Sequence, residues 1–348
     1  MKKFLSVLAL LLLIVQGSYA QKKFSAYGVA FYNQENLFDT CHDEGKNDYA
    51  FLPTGSYRWN GLKYKNKLHN MARALADLGT DVLPGVGCAV IGLSEVENNK
   101  VLDALVAQPE LAARGYKYCH VEGPDKRGID CALLYNPALF SVRDVKLVPY
   151  VYDLPKDSAR ATRGFLTVSG TMAGEHLTVV VCHWPSRGAS SHYREIAGTQ
   201  VKAVKDSLLR DDPNCKVMVM GDMNDAPTDK SLCESLSAKP DIDKVGSTDM
   251  YNPWYNILAK EGRGTLAYGG SWNLFDQILM TPNMLCKNGK KDYSTLKFWK
   301  NQIFVRPYLI QTDGKYKGNP KRTTSGGIWL DGYSDHLPVV AYLVKEQK

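Results

Sequence analysis

The sequence predicts an α/β protein built from two packed sheets flanked by helices, and three observations carry that reading. Short apolar, β-branched runs recur at residues 28–32, 89–93, 131–135, 165–168, 177–181, 217–220, 275–280 and 337–343, each bounded by turn-forming residues. Two stretches instead repeat at helical spacing. Leu62, Leu68, Met71, Ala72, Leu75 and Leu78 share one face, as do Ile196, Ala197, Val201, Val204 and Leu208. Strands outnumber helices, and several follow one another directly. A doubly wound parallel sheet needs a helix between successive strands, so two layered sheets fit better.

The first twenty residues stand apart from this pattern. Lys2 and Lys3 precede an apolar run from Phe4 to Val15, and Ser18-Tyr19-Ala20 places small residues where a signal peptidase cuts. The run is too short for a bilayer core, which takes about 20 residues. We therefore expect residues 1–20 to be a cleaved signal peptide, with residues 21–348 a single domain that is periplasmic or secreted. Nothing later in the chain is apolar enough to span a membrane. Hydrophobic content of 44% and charged content of 23% are ordinary globular values. The net charge of +7 suits an anionic ligand without selecting one.

An oxidising compartment would permit disulfides among the eight cysteines. Cys88, Cys119, Cys131, Cys182 and Cys215, however, fall at or beside apolar runs, where free cysteine behaves as a small buried hydrophobe. Neither a CxxC pair nor zinc-ligand spacing occurs. Residues 282–334 read as a long irregular segment mixing Lys287, Lys290, Lys291, Lys297, Lys300, Lys315, Lys317, Lys321 and Arg322 with Tyr293, Trp299, Tyr308, Tyr316 and Trp329. Such a segment is either a binding lid or a solvated loop.

Polar residues cluster where the apolar runs end. Asn33-Gln34-Glu35-Asn36 follows the first run and Ser94-Glu95-Val96-Glu97-Asn98 the second. His183-Trp184-Pro185-Ser186-Arg187 and Gly221-Asp222-Met223-Asn224 close two later ones. Asp276 lies within an apolar run, where an ionisable side chain needs a partner or a task. Ser334-Asp335-His336-Leu337-Pro338 leads into the last strand. Singly, each Asp reads as a turn cap and each His as a satisfied polar group. Together they supply carboxylates, imidazoles and amides suited to phosphodiester hydrolysis, which needs an in-line nucleophile, a cation against developing charge and a stabilised leaving oxygen. With no Ser or Cys nucleophile motif in view, direct attack by water is preferred to a covalent intermediate.

The ordered set Asn, Glu, His, GD-x-N, D-Q-I, SDH-x-P resembles the endonuclease/exonuclease/phosphatase (DNase I-like) superfamily over about residues 27–342. The resemblance implies a four-layer α/β sandwich and a divalent-metal phosphoesterase using Mg²⁺, with Mn²⁺ or Ca²⁺ as alternatives. It implies Glu95, Asn36 and Asp335 at the metal, Asp222 and Asn224 positioning water and a phosphate oxygen, and His336 paired with Asp276. His183 would donate to the phosphate as charge grows. Whether Asp222 or His336 takes the proton of water stays open. Asn36, Arg127, Arg163 and Arg187 are candidate phosphate ligands, each weighed against an ordinary surface role. Gln277 departs from the Arg or Tyr that inositol 5-phosphatases and abasic-site enzymes carry after the late Asp. The basic, aromatic segment then favours nucleic acid as the phosphate-ester substrate, with lipid or sugar phosphates, as in a sphingomyelinase, as the alternative and a catalytically silent binding module on the same fold as the remaining one.

Overall fold

The computed structural model describes residues 22–152 and 162–347; the expected signal peptide lies outside the described residues. The chain opens with β1 (Phe24–Leu37), α1 (Gly61–Asp77), β2 (Cys88–Val96), α2 (Asn99–Val106) and α3 (Pro109–Ala112). Next come β3 (Lys117–His120), β4 (Asp130–Tyr135), β5 (Phe140–Val148), β6 (Phe165–Met172), β7 (Glu175–His183) and α4 (Ser191–Asp211). After β8 (Lys216–Asp222) come β9 (Ala238–Lys239), β10 (Met250–Tyr251), α5 (Tyr255–Glu261), β11 (Leu266–Tyr268) and β12 (Ser271–Asn273). The remainder is β13 (Asp276–Met280), β14 (Lys297–Ile303), β15 (Thr324–Ser325), β16 (Ile328–Trp329) and β17 (Val339–Glu346).

Two mixed sheets result. One runs β14-β17-β1-β2-β4-β3 and the other β5-β6-β7-β8-β13-β10-β9. Each holds a parallel pair at its middle, β1 with β2 and β7 with β8, and a long helix makes each crossover. Parallel strands joined by a helix end at the same edge. The polar clusters after Tyr32, Leu93, Cys182 and Gly221 are thereby gathered at one end of the molecule, outside the carboxyl ends of the strands, where α/β folds bind ligands.

The core fills the space between the sheets with Phe31, Val90, Met218, Met220 and Ile278, all fully buried. Gly92 lets β2 approach β8: a Cβ there would stand 2.5 Å from Met220 Sδ and 3.0 Å from Phe31 Cδ2. Gly92→Val should therefore overpack the interface and cost about 1–3 kcal/mol. A lower urea midpoint with unchanged slope would register this. Outside the sheets, α1 buries Leu68, Met71, Ala72 and Leu75, and α4 buries Ala197 and Val201. Leu62, expected on the buried face, is 70% exposed because it sits in the first turn, beyond the sheet it would cover.

The segment 282–334, read as a lid or a solvated loop, is more regular than either. Lys297–Ile303 forms the edge strand β14 against β17. Tyr293 packs on Phe24 at the start of β1, roughly 30 Å from Asn33 at about 3.3 Å per residue. Lys287 and Lys297 are tied to the carbonyls of Val245 and Asn283. Arg306 and Tyr308 bond to Asp77, the last residue of α1. Within this segment, the contacts to the gathered strand ends come from Arg322, Thr323, Thr324 and Ser334. All eight cysteines are free, the five in apolar runs being buried.

Candidate active site

Backbone geometry at the strand ends is unusual. Glu35, Asn36, Glu95 and Asn224 have φ of 45°, 60°, 60° and 49°, the left-handed region that costs a non-glycine residue energy. Non-glycine residues held this way in one place indicate a surrounding structure that over-determines them.

The centre is an amide between two carboxylates. Asn33 Nδ2 donates to Asp222 Oδ2 at 3.0 Å and to Glu95 Oε1 at 3.4 Å. Asn36, the sequence candidate, meets Glu95 through its backbone N–H, 3.0 Å from Oε2, so the side-chain amide between the carboxylates is that of Asn33. Two histidines flank this centre. His183 Nε2 lies 3.8 Å from Glu95 Oε1 and 3.7 Å from Asp222 Oδ2. His336 Nε2 lies 3.9 Å from the same Asp222 oxygen, and its Nδ1 is 2.7 Å from Asp276 Oδ2. Asp276 faces Asp222 directly across the β8–β13 pair. Ser334 Oγ donates to the Asn33 carbonyl at 2.7 Å and accepts from His336 N–H, which fixes the histidine loop to the end of β1.

The two imidazoles are driven apart in charge. Burial, then the nearby Arg163 and Arg127, holds His183 well below the ordinary histidine range, so it is neutral. Burial also opposes charge on His336, but Asp276, Asp222 and Asp335 outweigh it and hold the ring well above that range. Asp222 is pushed up to about 6 by burial and by Asp276 and Glu95, against the pull of His336.

Several predicted residues turn out to support the centre. Asn224 donates from its backbone to Asp222 Oδ1 at 2.9 Å and from its amide to the Trp184 carbonyl at 3.0 Å. Arg163 is no phosphate clamp. It is buried, with Nη1 2.8 Å from Asp125 Oδ2 and Nη2 3.1 Å from the same Trp184 carbonyl. Arg187 stacks on Phe275, donates to the Asn224 carbonyl and pairs with Asp229 at 2.8 Å. Arg127 is half-exposed on the His183 side. Gln277 is buried, donating to the carbonyls of Asp225 and Leu274 and accepting from Asn252. It braces the loop after β8.

A cation fits this donor set. Three carboxylates, Asp222, Asp276 and Asp335, face His336, Glu95 stands beside Asp222, and burial and this crowding already raise Asp222. Asp222, Asp276 and His336 bring ligand atoms within 4.8 Å of one another. That group is deeply buried, and its His336–Asp276 hydrogen bond already uses one nitrogen. Mg²⁺ keeps several of its waters and so needs an open position. The side chains of Glu95 and Asp335, 14% and 26% exposed, provide one.

Buried carboxylates and two histidines at the joined strand ends of a four-layer α/β sandwich define a hydrolase acting on phosphate esters. The sequence matches the Endonuclease/Exonuclease/phosphatase family over residues 28–345, and the chain belongs to that family. Enzymes of this family depend on a divalent metal, for which the acidic cluster is the candidate site. Among solved structures, the chain is similar to an endonuclease/exonuclease/phosphatase family protein from Bacteroides thetaiotaomicron, at 16% identity and a TM-score of 0.55, covering 93% of this chain and 97% of that one. It is also similar to a mannosyl-6-phosphatase from the same organism, at 16% identity, a TM-score of 0.53 and coverage of 91% and 99%. A third likeness is to D. rerio TDP2 complexed with single-strand DNA product, at 14% identity, a TM-score of 0.53 and coverage of 92% and 99%. No curated protein matches the chain by sequence. No helix among the described residues is long and apolar enough to cross a membrane.

Proposed function

We propose that this chain is an exported phosphodiesterase that hydrolyses small phosphate diesters by direct attack of water, with Mg²⁺ held by Glu95 and Asp335. The observation that carries it is the placement of Asp222 between two histidines, its Oδ2 3.7 Å from His183 Nε2 and 3.9 Å from His336 Nε2. Asp222, steadied by Asn33 and Asn224, orients the water and accepts its proton. His336, with Nδ1 committed to Asp276, presents Nε2 to the reacting phosphate. His183, neutral and buried, donates a second hydrogen bond as charge accumulates on the phosphoryl oxygens. The metal, when bound, neutralises charge on the phosphate.

One feature of the surface supports a small substrate. Lys287 and Lys297 are held on the carbonyls of Val245 and Asn283, which favours one reacting phosphate over a tracked polymer. Hydrolysis of bis-p-nitrophenyl phosphate with Mg²⁺ should change little between 50 and roughly 200 mM salt, whereas polymer binding through six or more phosphate contacts loses about 10³-fold or more. Plasmid nicking that falls steeply over this salt range would return nucleic acid to first place. Full activity in excess EDTA would remove the metal.

A further inference from the structure

The segment carrying Arg322 is built more firmly than a surface loop needs. It folds back on itself, with Tyr333 N–H donating to the Lys321 carbonyl at 2.6 Å and Leu330 N–H to that of Thr323 at 2.9 Å. Gly332 permits this, since a Cβ there would stand 2.1 Å from the Arg322 carbonyl oxygen. Two buried charges pin the turn. Thr323 N–H and Thr324 N–H donate to the Glu35 carboxylate, and Lys67 Nζ donates to Thr323 Oγ1 at 2.6 Å and to the Tyr333 carbonyl. Glu35 is 5% exposed and Lys67 fully buried.

Burying charges is expensive, and an exposed Arg–Asp pair gives little back. What the network does achieve is to fix the backbone of Arg322 beside the catalytic centre. Its Nη2 lies 3.0 Å from Asp335 Oδ2, and Asp335 Oδ1 is 4.0 Å from His336 Nε2. Its Nε is 3.5 Å from Glu35 Oε1 without a hydrogen bond. The side chain is 39% exposed. A guanidinium has five donors in a planar fork that matches two phosphate oxygens. The other arginines near the centre are engaged or elsewhere: Arg163 is buried on Asp125, Arg187 is held by Asp229, and Arg127 lies on the His183 side.

Resting on the phosphodiesterase reading, we propose that Arg322 is the phosphate clamp of this site, gripping non-bridging oxygens of the substrate from the His336 side and giving up or sharing its contact with Asp335 as it does so. Arg322→Gln should raise the KM for bis-p-nitrophenyl phosphate and the inhibition constant for inorganic phosphate by about 10- to 100-fold, as expected for losing a charged hydrogen-bond donor. Arg322→Lys should recover part of both, because it restores the charge without the fork. Both variants should melt within a few degrees of the wild type. An active Arg322→Gln enzyme whose phosphate inhibition is unchanged would overturn the clamp and leave Arg322 as a structural pin on Asp335. Wild-type enzyme inert toward phosphate esters with every divalent metal would instead overturn the functional reading on which the clamp rests.

Discussion

Glu95→Gln is expected to reduce phosphodiester hydrolysis by roughly 10³-fold or more, or to shift the Mg²⁺ requirement upward to the same effect. The amide keeps an acceptor for Asn36 N–H, now 3.0 Å from Oε2, so the backbone of the strand end has no cause to move. What disappears is one full negative charge from a metal site with few protein ligands, together with the acceptor 3.4 Å from Asn33 Nδ2. A loss of 10³ corresponds to about 4 kcal/mol of transition-state stabilisation, within the several kcal/mol a metal supplies to a phosphoryl oxygen. Isothermal titration with Mg²⁺ separates the two outcomes: weaker binding places the loss in the metal. Unchanged binding together with unchanged rate would remove Glu95 from the site altogether. In wild-type enzyme, EDTA should abolish turnover and added Mg²⁺ restore it, with Mn²⁺ and Ca²⁺ as the comparison.

The second large effect is expected at His336. Replacement by Ala removes the ring whose Nδ1 meets Asp276 at 2.7 Å and whose Nε2 faces Asp222. A positioned acid, base or charge contributes about 10²–10⁴ in rate, and a loss of that order should appear in kcat. It also leaves Asp276 buried without its partner, so the variant should be less stable as well, and the rate must be read below its melting transition. Asp276→Asn offers the cleaner comparison. It keeps the shape and one acceptor while removing the charge that helps hold His336 protonated. Its rate should fall by less than that of His336→Ala, or by a comparable factor, with the fold retained. A near-wild-type rate for His336→Ala would leave the proton chemistry to Asp222 alone.

The layered architecture and the gathering of Glu95, His183, Asp222, Asp276 and His336 were legible because apolar runs and the polar residues that end them obey simple periodicities. What the sequence concealed has physical reasons. Asn33 and Asn36 stand three apart at the end of β1, and alternation would assign one to each face. The left-handed turns at Glu35 and Asn36 break the alternation there. β14 reads as loop because an edge strand carries lysines and lacks strict alternation, and its pairing with β17 shifts register between Phe298 and Lys300. Arg163 looked like a surface cation because burial of its salt bridge depends on Asp125, thirty-eight positions away in the chain. Arg322 gave no motif at all, since its position rests on Glu35 and Lys67, both distant in sequence.

The order of strands has a consequence for how the enzyme comes into being. One sheet takes all its strands from the stretch between β5 and β13, interrupted only by the small β11–β12 pair, while the other is begun by β1 to β4 and completed by β14 and β17. β17 slots between β1 and β14, joining chain ends more than three hundred residues apart. Such distant pairings carry a high entropic cost, because the loop they close is long. Asp335 and His336 lie just before β17, so they reach Asp222 and Asp276 only when that last strand has docked. A nascent or partly folded chain can thus own a finished second sheet and still have no chemistry. The hydrolase is complete only once its last strand is in place.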